Sequence, residues 1–246
     1  MTFDDETKQR IFQQAIDIFV IPEIERRKKI NKLPSDFKLD KIQIIFSSKS
    51  GRNYVRLNKE VDVIIKCKVN KPIKKGDIVY ENDIDQIESV ELTKGDLNYG
   101  HITLLAFKGN WIVSFNFIYN KEEIKKHIEA SKEFYESAKD NLEKKRLRPF
   151  FENAFACAEL FTKSVLLSLP NKKFFEGKDH RKKKEFLKNW ANLGNVKIEF
   201  STTLSKLYSL RSSARYLSSD NYKKENAKGI LSILDEMIKS SEDLTK

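Results

Sequence analysis

Glycine is scarce in this 246-residue chain, with 8 in all. That leaves little room for a glycine-rich loop cradling the phosphates of a nucleotide, and none occurs. Cysteine is scarcer: Cys67 and Cys157 lie far apart in segments of different kinds. No disulfide framework is implied, and a reducing cytoplasm is the expected location. There are 3 histidines, and no spacing of cysteine, histidine and carboxylate marks a metal site, so neither metal nor cofactor is expected. Long apolar runs are missing too. The most apolar stretches are 16–21 and 154–169, and the second is interrupted by Glu159 and Lys163, so no membrane span or membrane partner is expected. The first residues, MTFDDETKQR, are acidic where a signal peptide is basic and apolar. What the chain has in excess is positive charge. Its 47 lysines and arginines against 36 acids leave a net charge of +11. Such a surplus favours polyanionic partners, nucleic acid first and an acidic membrane surface second.

With 39% hydrophobic and 34% charged residues, the composition is that of a soluble globular protein. Its length allows one large domain or two small ones. Periodicity divides it. Asp4 or Asp5 is placed to cap a first helix, whose apolar face is Ile11, Ala15, Ile18 and Phe19. Pro22 either kinks that helix or opens a second piece over 23–30. From Lys41 to Tyr119 the period becomes two. Ile42, Ile44 and Phe46 alternate; so do Val61, Val63, Ile65, Cys67 and Val69; so do Trp111, Val113, Phe115, Phe117 and Tyr119. Turn signals at Ser50-Gly51, Gly76-Asp77, Gly95-Asp96 and Gly109-Asn110 separate the runs. The expectation is an antiparallel sheet of about five strands with a helix over one face. His101 reads as structural or exposed, and Cys67 as core.

Beyond Asn120 the chain is helical. Ile124, Ile128, Ser131, Tyr135, Ala138 and Leu142 mark a long helix, with His127 on its exposed side. Pro149 opens the next, whose face is Phe151, Ala154, Phe155, Ala158, Phe161, Val165 and Leu169. Small residues, Ala154 and Ala156–Ala158, let a neighbouring helix approach closely, and Glu159 is read as this helix's acid. Asp179 caps a third helix that Gly194 ends. Ser201 caps a fourth, and a last amphipathic helix runs over 222–244. Five helices with short connections make a bundle.

Two stretches bear on function. In LSKLYSLRSSARY, Leu204, Leu207, Leu210, Ala214 and Leu217 form one apolar stripe, while Arg211 and Arg215 lie one turn apart on a neighbouring face. No acid occurs from Thr202 to Ser219. Arg211 therefore has two readings, a bidentate phosphate contact or a structural pair with Glu159. The second stretch is the densest basic run in the chain. It includes Lys172, Lys173, Lys178, Arg181, Lys182, Lys183, Lys184 and Lys188, with Phe174 and Phe175 nearby. It is either a solvated helix face or a phosphate-contacting patch beside stacking rings. His180 is expected to order a helix start, and Tyr216 to pack.

Three motifs carry a family resemblance over about 121–244. They are AFACAELFTKSVLLSLP, GKDHRKKKEFLKNWANLGN and LYSLRSSARY, in that order. They resemble the alanine-rich helix, the Lys-x-His opening and the Leu-Arg-x-x-Ala-x-Tyr ending of the HEPN domain family. The resemblance implies a four- or five-helix bundle. It also implies metal-independent ribonucleases in which Arg, four to six residues, then His meet across a dimer cleft. Here Arg211 matches the arginine and Ser212 the polar residue after it, but the histidine positions hold Tyr216, Leu217 and Ser218. Tyrosine titrates about three units above histidine and is a poor base near neutral pH. Members without the histidine bind RNA, nucleotides or proteins instead.

The expected architecture is α+β. Residues 1–120 form an N-terminal helix plus a small antiparallel sheet of unassigned purpose, and 121–246 a HEPN-like up-and-down bundle. The expected role is RNA or nucleotide binding as a homodimer through the bundle, without cleavage, in stress response or phage defence. The phosphate contacts would be Arg211, Arg215, Lys178, His180, Arg181, Lys182, Lys183 and Lys184. The alternatives are a divergent metal-independent endoribonuclease, with Arg211 and Tyr216 as candidate catalytic residues, and a dimerisation scaffold.

Overall fold

A computed structural model describes residues 4–47, 53–170, 180–216, 222 and 225–245. The chain forms two compact units, Met1–Phe117 and Ile118–Lys246, and the whole is α+β.

In the first unit, α1 (Asp5–Ala15) is capped by Asp4, whose carboxylate accepts from the Thr7 N–H at 2.7 Å. Residues Ile16–Val20 widen into a π turn before α2 (Ile21–Lys29). Pro22 lies in the first turn of α2, where a missing N–H costs the helix no bond of its own ladder. The strands are β1 (Lys41–Phe46), β2 (Asn53–Leu57), β3 (Val63–Val69), β4 (Ile84–Leu92), β5 (Gly100–Phe107) and β6 (Asn110–Asn116). They form two sheets rather than the single five-stranded one expected. One has the order β2-β1-β5-β6, and β3 and β4 make a separate two-stranded ribbon. All pairs are antiparallel.

The helical segment covers one face of the larger sheet. Ile42, Ile44, Leu57, Ile102 and Leu104 bury against Ala15 and Val20, with Phe12, Phe19 and Ile24 around them. The opposite face is also buried, and it is partly polar. Gln43 and Thr103 are fully enclosed; Gln43 donates to the Asp62 carbonyl at 3.0 Å and accepts from Arg56 at 2.8 Å. His101 is buried there, with Nδ1 2.9 Å from the Thr103 hydroxyl. The β5–β6 turn has Lys108 and Gly109 at its centre, both with positive φ, one residue earlier than the Gly109-Asn110 signal. That backbone matches the twist of the strands it joins. Cys67 is half-buried on a largely exposed strand and is not a core residue.

The second unit is five helices, α3 (Lys121–Glu143), α4 (Leu147–Leu167), α5 (His180–Asn192), α6 (Ile198–Tyr216) and α7 (Ala227–Glu242). Helix α4 is its axis. Phe150, Phe151, Ala154, Cys157, Ala158 and Phe161 are at most 1% exposed. The small residues on α4 admit α3 closely enough for the Ser131 hydroxyl to donate to the Cys157 carbonyl at 3.0 Å. Leu204, Leu207, Leu210 and Ala214 of α6, and Ile230, Leu234 and Met237 of α7, complete the core. Three local expectations change. Ser201 is buried inside the first turn of α6 and bonds the Ile198 carbonyl, so it is no cap. Helix α7 starts at Ala227 under Asn226, whose side chain accepts from the Gly229 N–H. His127 is buried rather than exposed, with Nδ1 2.8 Å from the Glu123 carbonyl one turn back. Leu217, and Asp179 as a cap, lie outside the described residues.

Candidate anion-binding cleft

Helices α4, α5 and α6 place two carboxylates opposite the basic residues. Glu152 and Glu159 are seven residues apart on α4 and so share a face about two turns, roughly 10 Å, apart. Arg211 and Arg215 are four apart on α6 and share a face in the same way. The two faces meet at one end. Arg211 Nε and Arg215 Nη2 both donate to a single oxygen, Glu152 Oε2, at 3.0 and 2.8 Å. The other oxygen, Glu152 Oε1, is buried and accepts no hydrogen bond within the described structure. The expected Arg211–Glu159 pair does not form. Arg211 reaches α4 two turns nearer its N-terminus, and Glu159 is taken by α5 instead. Glu159 Oε1 lies 2.6 Å from His180 Nδ1 and 2.7 Å from Lys183 Nζ.

A cluster of aromatic rings adjoins the two carboxylates. Phe155, Tyr208 and His180 form a cluster with centroids 5.7–6.4 Å apart. The Arg211 guanidinium lies 4.8 Å above the Phe155 ring, and Lys184 Nζ lies 5.3 Å above Tyr208. Stacking of this kind holds a guanidinium in plane and keeps its edge N–H groups available. A cleft of about 400 Å³ opens here, lined by Phe134, Glu152, Phe155, Glu159, Arg211 and Arg215 among others. Arg211 and Arg215 line it with Glu152 and Glu159, Lys183 donates to Glu159, and Lys184 lies over the neighbouring Tyr208. Each guanidinium carries five N–H donors, more than one carboxylate oxygen uses. Such a site can take an anion bidentately with a planar group stacked beside it.

The structure thus gathers Arg211, Arg215, His180, Lys183 and Lys184 into one region. Arg181 and Lys182 are exposed on α5. Tyr216 is 71% exposed, neither packed nor lining the cleft. Lys178, Lys172, Lys173, Phe174 and Phe175 lie outside the described residues. Glu152 and Tyr208 are site residues that sequence reasoning passed over. The signal for Glu152 was its seven-residue spacing from Glu159, which puts both acids on one helical face.

Among the described residues no group of three His, Cys, Asp or Glu is placed to hold a metal ion. No described helix is long and apolar enough to cross a membrane. Compared with known proteins, residues 124–244 match the family model of the HEPN domain. The match covers the C-terminal half, and the N-terminal unit has no family assignment. No curated protein and no solved structure matches the chain significantly.

Proposed function

We propose that this chain, whose C-terminal half is a HEPN domain, binds RNA or a nucleotide in the α4–α6 cleft without cutting it, as a homodimer through the bundle. The observation that carries this reading is the convergence of Arg211 and Arg215 on one oxygen beside the Phe155–Tyr208–His180 rings. Two guanidinium groups hold the phosphate, and the part-exposed Tyr208 and His180 rings offer an edge or face to a base. Lys183 and Lys184 add charge without reading sequence. The motif histidine positions hold Tyr216, Leu217 and Ser218, which supports binding over cleavage. The exposed Phe134 and Tyr208 support a second copy adding to this region. Stress response or phage defence is the setting that the family membership favours.

The test is a titration of a labelled single-stranded oligoribonucleotide at 50 and 200 mM salt. Each phosphate held contributes a slope of roughly −0.7 in log affinity against log salt. Affinity that ignores salt would remove the reading. Light scattering of the full chain should give twice the monomer mass, and a monomer at micromolar concentration would reject the dimer.

One observation favours a second reading, a divergent ribonuclease. Glu159 holds His180 by Nδ1 at 2.6 Å, the arrangement that orients an imidazole as a proton acceptor through its other nitrogen. Incubation with RNA in EDTA separates the two. Intact RNA supports binding alone, whereas cleavage abolished by His180→Ala supports the nuclease.

A further inference from the structure

We infer that Glu152 is a built-in occupant of the anion site and restricts it to terminal phosphates over the internal phosphodiesters of a strand. This inference rests on the reading that Arg211 and Arg215 hold a phosphate. Arg211 Nε and Arg215 Nη2 both donate to Glu152 Oε2, so the carboxylate occupies the point where the two guanidinium groups converge. An anion held by both guanidinium groups at that point must displace the carboxylate, which is tethered to α4 and so competes at a very high effective concentration. An internal phosphodiester brings a single negative charge, the same as the carboxylate it would replace, and gains little by the exchange. A phosphomonoester or pyrophosphate end carries about −1.5 to −2 charges near neutral pH and offers three oxygens to the two guanidinium forks. Only the second kind of anion clearly outcompetes the tethered acid.

The state of Glu152 favours the exchange. Its Oε1 is buried and accepts no hydrogen bond within the described structure, so the internal pair leaves half of the carboxylate unsolvated. Once a phosphate takes the arginines, the side chain can turn into the adjoining cleft of about 400 Å³ and regain water. The Phe155 ring keeps the Arg211 guanidinium in place throughout. The shared chemistry of the ligand is therefore a terminal phosphate, from a free nucleotide or from a 5′-phosphorylated RNA end.

The full chain would be titrated with a 3′-labelled oligoribonucleotide bearing a 5′-phosphate and with the same strand bearing a 5′-hydroxyl. ADP and adenosine would be measured by calorimetry. The wild type should prefer the phosphorylated member of at least one pair by tenfold or more. Preference in the ADP pair alone identifies a free nucleotide, and preference in the strand pair identifies an RNA end. Glu152→Gln keeps the side-chain shape and removes the charge. It should tighten every phosphate-bearing probe, leave adenosine unchanged, and compress the strand preference to within about threefold. Equal binding of both members of each pair in the wild type would overturn the inference. So would a Glu152→Gln protein, folded by near-ultraviolet dichroism, with unchanged preferences. Arg215→Gln tests the underlying reading separately, because Arg215 is 47% exposed and its loss should leave the fold intact. If that variant binds all probes as the wild type does, the phosphate site itself lies elsewhere.

Discussion

Glu159 joins two elements through one atom, since its Oε1 serves both His180 and Lys183 from α5. Glu159→Gln should therefore loosen the start of α5 and lower the stability of the second unit by about 1–2 kcal/mol. Hydrogen exchange would show the loss over 180–192, and unchanged protection there would contradict this role. Arg211 should be untouched, because its partner is Glu152. In the first unit Glu23 is the carboxyl held furthest below its ordinary value among the described residues, with Glu60 and Asp83 lowered as well. Hydrogen bonds from Arg26, and then from Arg27, hold its carboxyl down at about 2 against an ordinary 4.5. A folded-state value below the unfolded one stabilises the protein fully above pH 4.5, and the contribution fades as pH falls towards 2. Urea midpoints should therefore drop between pH 5 and pH 3, and the drop should shrink in Glu23→Gln. Equal pH dependence in both proteins would exclude Glu23 as the cause.

At the scale of elements, α4 carries the second unit because it touches helices on several sides. Phe161 is 1% exposed and meets Phe200 of α6 edge-on at 5.3 Å. Phe161→Ala should cost about 3–5 kcal/mol through lost burial and the cavity left behind. Leu193→Ala, at a position 73% exposed, should stay within about 0.5 kcal/mol. Denaturant midpoints of the two variants test the contrast directly. The buried face of α4 was legible in the sequence, since three- and four-residue spacing of Phe151, Ala154, Phe155, Ala158 and Phe161 reports a helix stripe without knowing its partners. The β3–β4 ribbon was not. Alternation of Val63, Ile65 and Cys67 reports a strand, yet pairing is a long-range choice that alternation does not encode. The cleft was half legible for the same reason. Arg211 and Arg215 stand out within one helix, but their carboxylate depends on how far α6 slides along α4. A shift of two turns exchanges Glu159 for Glu152.

On the scale of the whole molecule, the two units close their cores separately. Ile42, Ile44 and Leu104 belong to one cluster; Phe150, Phe161, Leu207 and Leu234 belong to another. The second cluster draws on α3, α4, α5, α6 and α7, and all five lie within Ile118–Lys246. Its largest side chains, Phe150, Phe151, Phe161 and Phe200, are at most 1% exposed and cluster with apolar residues of that unit alone, so the hydrophobic term that drives its folding is supplied within the unit. The site residues Glu152, Glu159, His180, Arg211 and Arg215 lie there as well. A chain comprising 118–246 should thus fold alone, with a cooperative melt and near-ultraviolet dichroism. It should also bind a phosphate-bearing strand within about threefold of the full chain. A fragment that stays expanded would show that the bundle core, though closed, is too small a source of stability by itself. A fragment that folds but no longer binds would move the anion site, or an essential part of it, to the N-terminal unit. Folding with binding retained would leave the sheet unit free for a separate task, which the cleft chemistry does not require.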